Sequence, residues 1–285
     1  MKKIVVLAKQ VPDTENVGDE AMKEDGTVNR SKLPAIFNPE DLNALEMGLN
    51  IREKLGGTVT VISMGPPGAK DILKHSLYMG ADDVYLISDK KFAASDTLAT
   101  SYVLAGTVKY LGNVDLVLGG TQAIDGDTAQ VGPQTAEKLD FNQITYVEDL
   151  IECTDEHVMV QRDGEKQKEK IKTSYPLLMT VTGNSNDPRY PDCREMLKYF
   201  RADLETEFDE EEKKQAQKND WIIPILSADE LGLDEERCGL SGSPTQVANI
   251  DNIQLSGGDL EMYADEDDSI QDLVKDIMKE QVEVE

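Results

Sequence analysis

The sequence predicts an α/β fold, a doubly wound, mostly parallel sheet with an antiparallel annex. Two observations carry this. Up to about residue 140, short apolar runs rich in β-branched residues alternate with helix-length amphipathic stretches. From about residue 143 the helices drop out and short strands follow one another around tight turns. A Gly-containing loop after the fourth apolar run adds a place where such a sheet binds ligands.

Ile4–Leu7 opens the series as a strand covered on both faces. Asn38-Pro39-Glu40-Asp41 then reads as a cap, a proline at the first helical position and acids in the first turn; Leu42, Leu45, Leu49 and Ile51 follow, and Gly56-Gly57 close the helix. Val59–Ile62 and Val84–Ile87 are the next strands, with helices over 69–79 and 97–111 ending at Gly80 and Gly112. Leu116–Leu118 is the fourth strand, and Asp127 or Thr128 is expected to cap a further helix. Beyond it, 145–150, 158–161, 170–172 and 177–182 are expected as annex strands, with turns at Asp155 and Asp163-Gly164. Residues 203–220 are mixed in charge, an expected linker or exposed helix at which the core ends, and Trp221 is expected to anchor the tail by packing. Ser269 is placed to cap a C-terminal helix with Ile270, Leu273, Val274, Ile277 and Met278 on one face. The expected organisation is therefore an α/β domain over 1–202 and an acidic linker with a C-terminal docking arm over 203–285.

Composition removes several functions. The 285 residues carry 56 acidic and 29 basic side chains, a net charge of −27, so nucleic acid and anionic membrane surfaces are repelled. Cys153, Cys193 and Cys238 lie far apart without a C-x-x-C pair, which fits a reducing cytoplasm, and the apolar run Ile4–Ala8 is too short for a signal peptide or a membrane span. His75 and His157 have no ligand-spaced partners, so no metal site is expected. No nucleophile motif appears, so no catalytic side chain is expected.

Three strand ends carry unusual sequences that can line one crevice: Ala8–Asp13, Met64–Gly68 and Gly119–Pro133. Gly65, Gly119, Gly120 and Gly126 remove side chains where a ligand meets backbone, and Gln130 offers an amide. Neither a G-x-G-x-x-G nor a Walker loop is present. Residues 119–137 contain no Lys or Arg but include Asp125, Asp127 and Glu137, so a pyrophosphate there must rely on amide dipoles and hydroxyls such as Thr128. From spacing alone, a ligand site and an ordinary Gly-rich turn remain equal alternatives.

Thr121–Gly132, with Ala8–Asp13, Asn38-Pro39, Met79–Asp82 and Asn186–Tyr190, resembles the β subunit of electron transfer flavoproteins, and Gly239–Thr245 is similar to that family's C-terminal segment. The resemblance implies a heterodimer with an FAD-carrying α subunit and a second nucleotide in the crevice. In simple members that nucleotide is AMP; in electron-bifurcating members it is FAD, which takes a hydride from NADH. Gly126 and Ala129 stand where simple members tend to have bulkier polar residues, so the stretch looks like the bifurcating version and FAD is favoured, with AMP as the alternative. The partners then implied are an acyl-CoA dehydrogenase or a flavin-linked 2-hydroxy-acid dehydrogenase, with ferredoxin or flavodoxin as the second acceptor. Carried over by residue, the resemblance implies cofactor binding by Ala8, Lys9, Gln10, Val11, Asn38, Asp41, Met64, Gly65, Thr97, Thr100, Ala123, Asp125, Gly126, Asp127, Thr128, Ala129, Gln130 and Val131. For Asn38, Asp41 and Asp127, helix capping alone is an equal explanation. Asn186, Pro188, Arg189, Tyr190 and Cys193 match the loop with which the family anchors its partner dehydrogenase.

Overall fold

The structure, a computed structural model, describes residues 1–13, 33–164, 166–245, 269–271, 273–275 and 278. In chain order the elements are β1 (Lys2–Leu7), β2 (Gln10–Pro12), β3 (Ala35–Phe37), α1 (Pro39–Leu55), β4 (Gly57–Met64), α2 (Lys70–Met79), β5 (Asp83–Ile87), α3 (Thr97–Leu111), β6 (Leu116–Gly120), α4 (Val131–Leu139), β7 (Asn142–Cys153), β8 (His157–Gly164), β9 (Gln167–Ser174), β10 (Leu177–Val181), α5 (Cys193–Tyr199), β11 (Asp203–Leu204), α6 (Glu210–Lys218), β12 (Ile222–Ile223) and β13 (Ile225–Leu226).

The main sheet runs β13-β5-β4-β1-β6-β10-β7-β8-β9. It is parallel from β13 to β7 and antiparallel from β7 to β9. From β1 the chain winds outward through α1 and α2 to β5, then returns through α3 to lay β6 on the other side of β1. The strand order therefore reverses between β1 and β6, and a crevice opens where their C-terminal ends part.

Alternation along the parallel strands supplies the two faces that helices must cover. One cluster joins Ile4, Val6, Leu116, Leu118 and Met179 to Leu45 and Leu49 of α1 and Leu73 and Leu77 of α2. The other joins Val5, Ile62, Val117 and Leu178 to Val103 and Val108 of α3 and Ala136 of α4.

Several expectations change. Leu177–Val181 is not an annex strand: it lies parallel between β6 and β7, and its continuous apolar run suits that doubly covered place. Asp163 and Gly164 belong to β8 rather than to the turn. The 203–220 stretch holds the exposed helix α6, opened by an Asp209–Glu212 capping box. Around it, however, β11 pairs with β12, and β13 adds to the edge of the main sheet at β5. The core thus continues past residue 202, and the compact units are Met1–Ala248 and Asn249–Glu285. Trp221 does pack: its indole donates to the Lys198 carbonyl at 2.6 Å and meets Phe200 edge-on at 6.3 Å. In the second unit Ser269 is itself helical, Ile270, Val274 and Met278 are exposed, and Ile277 lies outside the described residues. Among the described residues no helix is long and apolar enough to cross a membrane.

Candidate functional site

The reversal point is held together by a buried carboxylate. Asp41, in the first turn of α1, accepts the Gly120 amide at the end of β6 through Oδ1 at 2.8 Å. Through Oδ2 it accepts the Lys9 amide just past β1 at 2.9 Å. One side chain thereby spans the two strands between which the order reverses. Burial pushes its carboxyl up to about 7, against the lowering effect of the amides of Gly120 and Lys9 and of Asn38.

Asn38 was expected as a helix cap, but its side chain makes no cap hydrogen bond. It is wholly buried and clasps the loop after β6 instead, donating to the Gln122 carbonyl at 2.9 Å and accepting the Ile124 amide at 3.2 Å. Glu40 adds an acceptor for the Gln122 amide at 3.0 Å. The start of α1 is thus a clamp on both sides of the crevice.

The crevice measures about 1190 Å³. Of the predicted cofactor residues, Ala8, Lys9, Asp41, Met64, Gly65, Thr97, Thr100, Ala123, Asp125, Gly126, Asp127, Thr128, Ala129, Gln130 and Val131 line it. Gln10, Val11 and Asn38 do not. Gln10 turns aside to the Gly68 carbonyl at 3.1 Å, Val11 is buried, and Asn38 acts through the loop it holds. The deeper wall is apolar, formed by Leu7, Ile87, Phe92, Leu104 and Leu178.

The phosphate-type loop differs from expectation in one respect. Neither Asp127 nor Thr128 caps a helix, because α4 begins only at Val131 with Gln130 at its cap and no side-chain cap hydrogen bond. Asp127 and Ala129 instead take left-handed backbone angles, φ 46° and 51°. The uncapped end leaves first-turn amides for a ligand. The missing positive charge comes from elsewhere in the chain: Lys9 reaches across from β1 and grips both oxygens of Asp125 at 2.7 Å. On the far wall Thr97 donates to Gln130 at 3.1 Å and accepts from Gln134 at 3.3 Å, tying α3 to α4.

Sequence reasoning missed the loop after β5, where Ser88, Asp89 and Phe92–Asp96 line the crevice, and the distant pair Pro244 and Thr245. The first had a signal, since it too follows the C-terminal end of a parallel strand and leads into Asp96, which caps α3 by accepting the Leu98 and Ala99 amides. The second is tied to the same aspartate. Thr245 donates its hydroxyl to Asp96 at 2.6 Å, and Ser243 accepts the Asp96 amide at 2.8 Å. Burial would raise the Asp96 carboxyl, but its hydrogen bonds from Thr245, Ala99 and Leu98 hold it below the usual range.

The proposed partner loop divides into a brace and an exposed tip. Asn186 exchanges hydrogen bonds with Asn43 at 2.7 and 3.0 Å. Arg189 grips the buried Glu46 through Nε at 2.8 Å and Nη2 at 3.0 Å, and reaches Glu53 at 2.6 Å. Both side chains therefore fasten the loop to α1 rather than face outward. Pro188 is half-buried, while Tyr190 is 93% exposed, and Cys193, Leu197 and Phe200 further along the chain are exposed as well. Arg189→Met, which strands the Glu46 carboxylate, is expected to lower stability by roughly 2–3 kcal/mol, and Tyr190→Ala by less than about 0.5, as read by urea unfolding.

Fold and crevice define a doubly wound α/β protein with a large crevice at its reversal point. The family model described as "Electron transfer flavoprotein domain" matches residues 25–218. An electron transfer flavoprotein subunit beta from Thermoanaerobacterium thermosaccharolyticum is 43% identical over 244 residues, covering 86% of this chain and 85% of its own. The subunit beta of Megasphaera elsdenii is 41% identical over 286 residues, 98% and 97% of the two chains. The caffeyl-CoA reductase-Etf complex subunit CarD of Acetobacterium woodii is 42% identical over 257 residues, 90% of each. The chain belongs to the electron transfer flavoprotein family, with the β subunits.

Proposed function

We propose that this chain is the β subunit of an electron-bifurcating electron transfer flavoprotein and holds FAD in the crevice between β1 and β6. The observation that carries this reading is the room in the site. The crevice, about 1190 Å³, exceeds the roughly 300–1,000 Å³ usual for small-ligand pockets, so it has room for a dinucleotide. At Gly126 an added Cβ would meet nothing within 4 Å, so the lining stays open where the loop faces the cavity.

The donor set fits such a ligand. Lys9 and the free amides at the start of α4 suit its phosphates, Asp127 offers acceptors for sugar hydroxyls, and the Leu7, Ile87, Phe92, Leu104 and Leu178 wall takes an aromatic ring and excludes water. When bound, the flavin supplies the redox chemistry, accepting a hydride from NADH and releasing electrons one at a time. The protein's part is binding, orientation and shielding. The partners this reading implies are an α subunit with its own FAD, an acyl-CoA dehydrogenase-type or flavin-linked 2-hydroxy-acid dehydrogenase, and ferredoxin or flavodoxin as the second acceptor. Tyr190 and Cys193 face that dehydrogenase from a loop set by Asn186, Pro188 and Arg189. The relative from Acetobacterium woodii, named as part of a reductase complex, supports a reductase-type partner.

Flavin counting on the purified αβ complex tests this. Two FAD per heterodimer, with reduction by NADH, is the expected result; one FAD together with extractable AMP would assign the crevice to AMP. Gly126→Arg, at a position where an added Cβ meets nothing within 4 Å, is expected to remove one FAD per heterodimer and to melt as nucleotide-stripped wild type does, seen by absorbance and calorimetry.

A further inference from the structure

We infer that Asp125 is a built-in competitor for the Lys9 ammonium, so that the Lys9–Asp125 pair is a latch that a nucleotide phosphate must displace. This rests on the crevice being a nucleotide site. Lys9 follows β1 and Asp125 sits in the loop after β6, so the pair joins the two strand ends between which the crevice opens. Both carboxylate oxygens lie 2.7 Å from the ammonium. Among the described lining residues only Lys9 and Lys90 are basic, against Asp41, Asp89, Asp96, Asp125 and Asp127. The Lys9 backbone cannot follow a ligand, because its amide is pinned by Asp41.

An ammonium is a compact charge, and a phosphate approaching it while Asp125 stays bound meets a second anion at close range. Exchange therefore costs less than sharing. The loop is built to let the carboxylate leave. Gly126 beside it opens onto free space, and Asp127 and Ala129 hold left-handed angles that a rearranged loop can relax. The side chains of Lys9 and Asp125 are 48% and 24% exposed, so the bridge is weak enough to open and its influence is a matter of several-fold, not orders of magnitude. The acid-rich loop that argued against phosphate binding in the sequence thus regulates it.

The test is calorimetric and stopped-flow titration of FAD and AMP into nucleotide-stripped αβ complex carrying Lys9→Met, Asp125→Asn or both. Lys9→Met should weaken binding roughly 10- to 100-fold. Asp125→Asn should tighten it about two- to fivefold and speed association. In the Lys9→Met background the Asp125→Asn gain should shrink to within about twofold, the non-additivity expected of a shared partner. Asp125→Asn weakening binding as Lys9→Met does would overturn the latch by making Asp125 a direct ligand contact, as would a gain undiminished in the double variant. Wild-type binding that responds to neither change overturns the latch alone. Wild-type complex that binds neither nucleotide overturns the site itself.

Discussion

Gly120→Ala is expected to destabilise the protein by about 3 kcal/mol and to cost it nucleotide affinity, whereas Gly126→Ala, six residues along the same loop, is expected to stay within about 0.5 kcal/mol. A Cβ at position 120 would fall 2.6 Å from Asp41 Oδ1, 2.7 Å from Glu40 Cβ and 2.9 Å from the Glu40 carbonyl carbon. Glu40 Cβ and its carbonyl carbon move only with the first turn of α1, and the Asp41 carboxylate is held by the Gly120 and Lys9 amides, so none of the three swings aside as the end of a flexible side chain can. That turn must therefore move off β6, and in moving it gives up the Asp41–Gly120 bond and the Asn38 and Glu40 holds on the loop beyond. Overpacking and stranded buried donors then add in the same direction. At Gly126 an added Cβ meets nothing within 4 Å. Urea unfolding of both variants beside nucleotide titration checks the contrast, and equal effects at the two positions would remove Gly120 from the frame of the site.

The fold was legible because its strong signals are local. Four β-branched runs and three amphipathic stretches met the length and boundary rules of buried parallel strands and covering helices, and Pro39, Gly80 and Gly112 mark their ends. What misled was long-range. Leu177–Val181 follows three hairpin strands in sequence, yet it crosses back beside β6, and only its unbroken apolar run hinted at a place covered on both faces. The site was legible where strand ends carry glycine and proline, at Ala8–Lys9, Met64–Gly65 and after Gly119. It was not legible at Thr245, whose link to Asp96 spans 149 positions, and although Lys9 was legible its meeting with Asp125, across 116 positions, was not. Residue type misled as well: Asn38 and Asp41 stand where caps stand, but both are buried and each bridges segments far apart in the chain. Arg189 had the look of a partner-facing cation until the buried Glu46 beside it gave it a structural task.

Asp41→Asn should cost stability most at low pH, and the gap between variant and wild type should close as pH rises. In the wild type the carboxyl is held up to about 7 by burial, while an unfolded chain releases the same proton near its ordinary value of 3.8. Below 3.8 both states hold the proton and the group is neutral in the balance. Between 3.8 and about 7 the folded state keeps a proton that the unfolded state has lost, so wild-type stability declines with rising pH, by on the order of 4 kcal/mol in all. Above about 7 the decline ends. Asparagine does not titrate, and its NH2 must face one of the two amides that Asp41 now satisfies, a loss of about 1–3 kcal/mol that does not depend on pH. The difference between the two proteins should therefore favour the wild type at pH 4–5 and shrink or reverse by pH 8, read from urea unfolding across that range. A flat difference would mean that the amides of Gly120 and Lys9 outweigh burial and that Asp41 is charged throughout. The same titration reaches the ligand. Asp41 lines the crevice, so its ionisation adds a negative charge near the proposed phosphates, and nucleotide affinity should fall as pH rises through 7 in the wild type but not in Asp41→Asn.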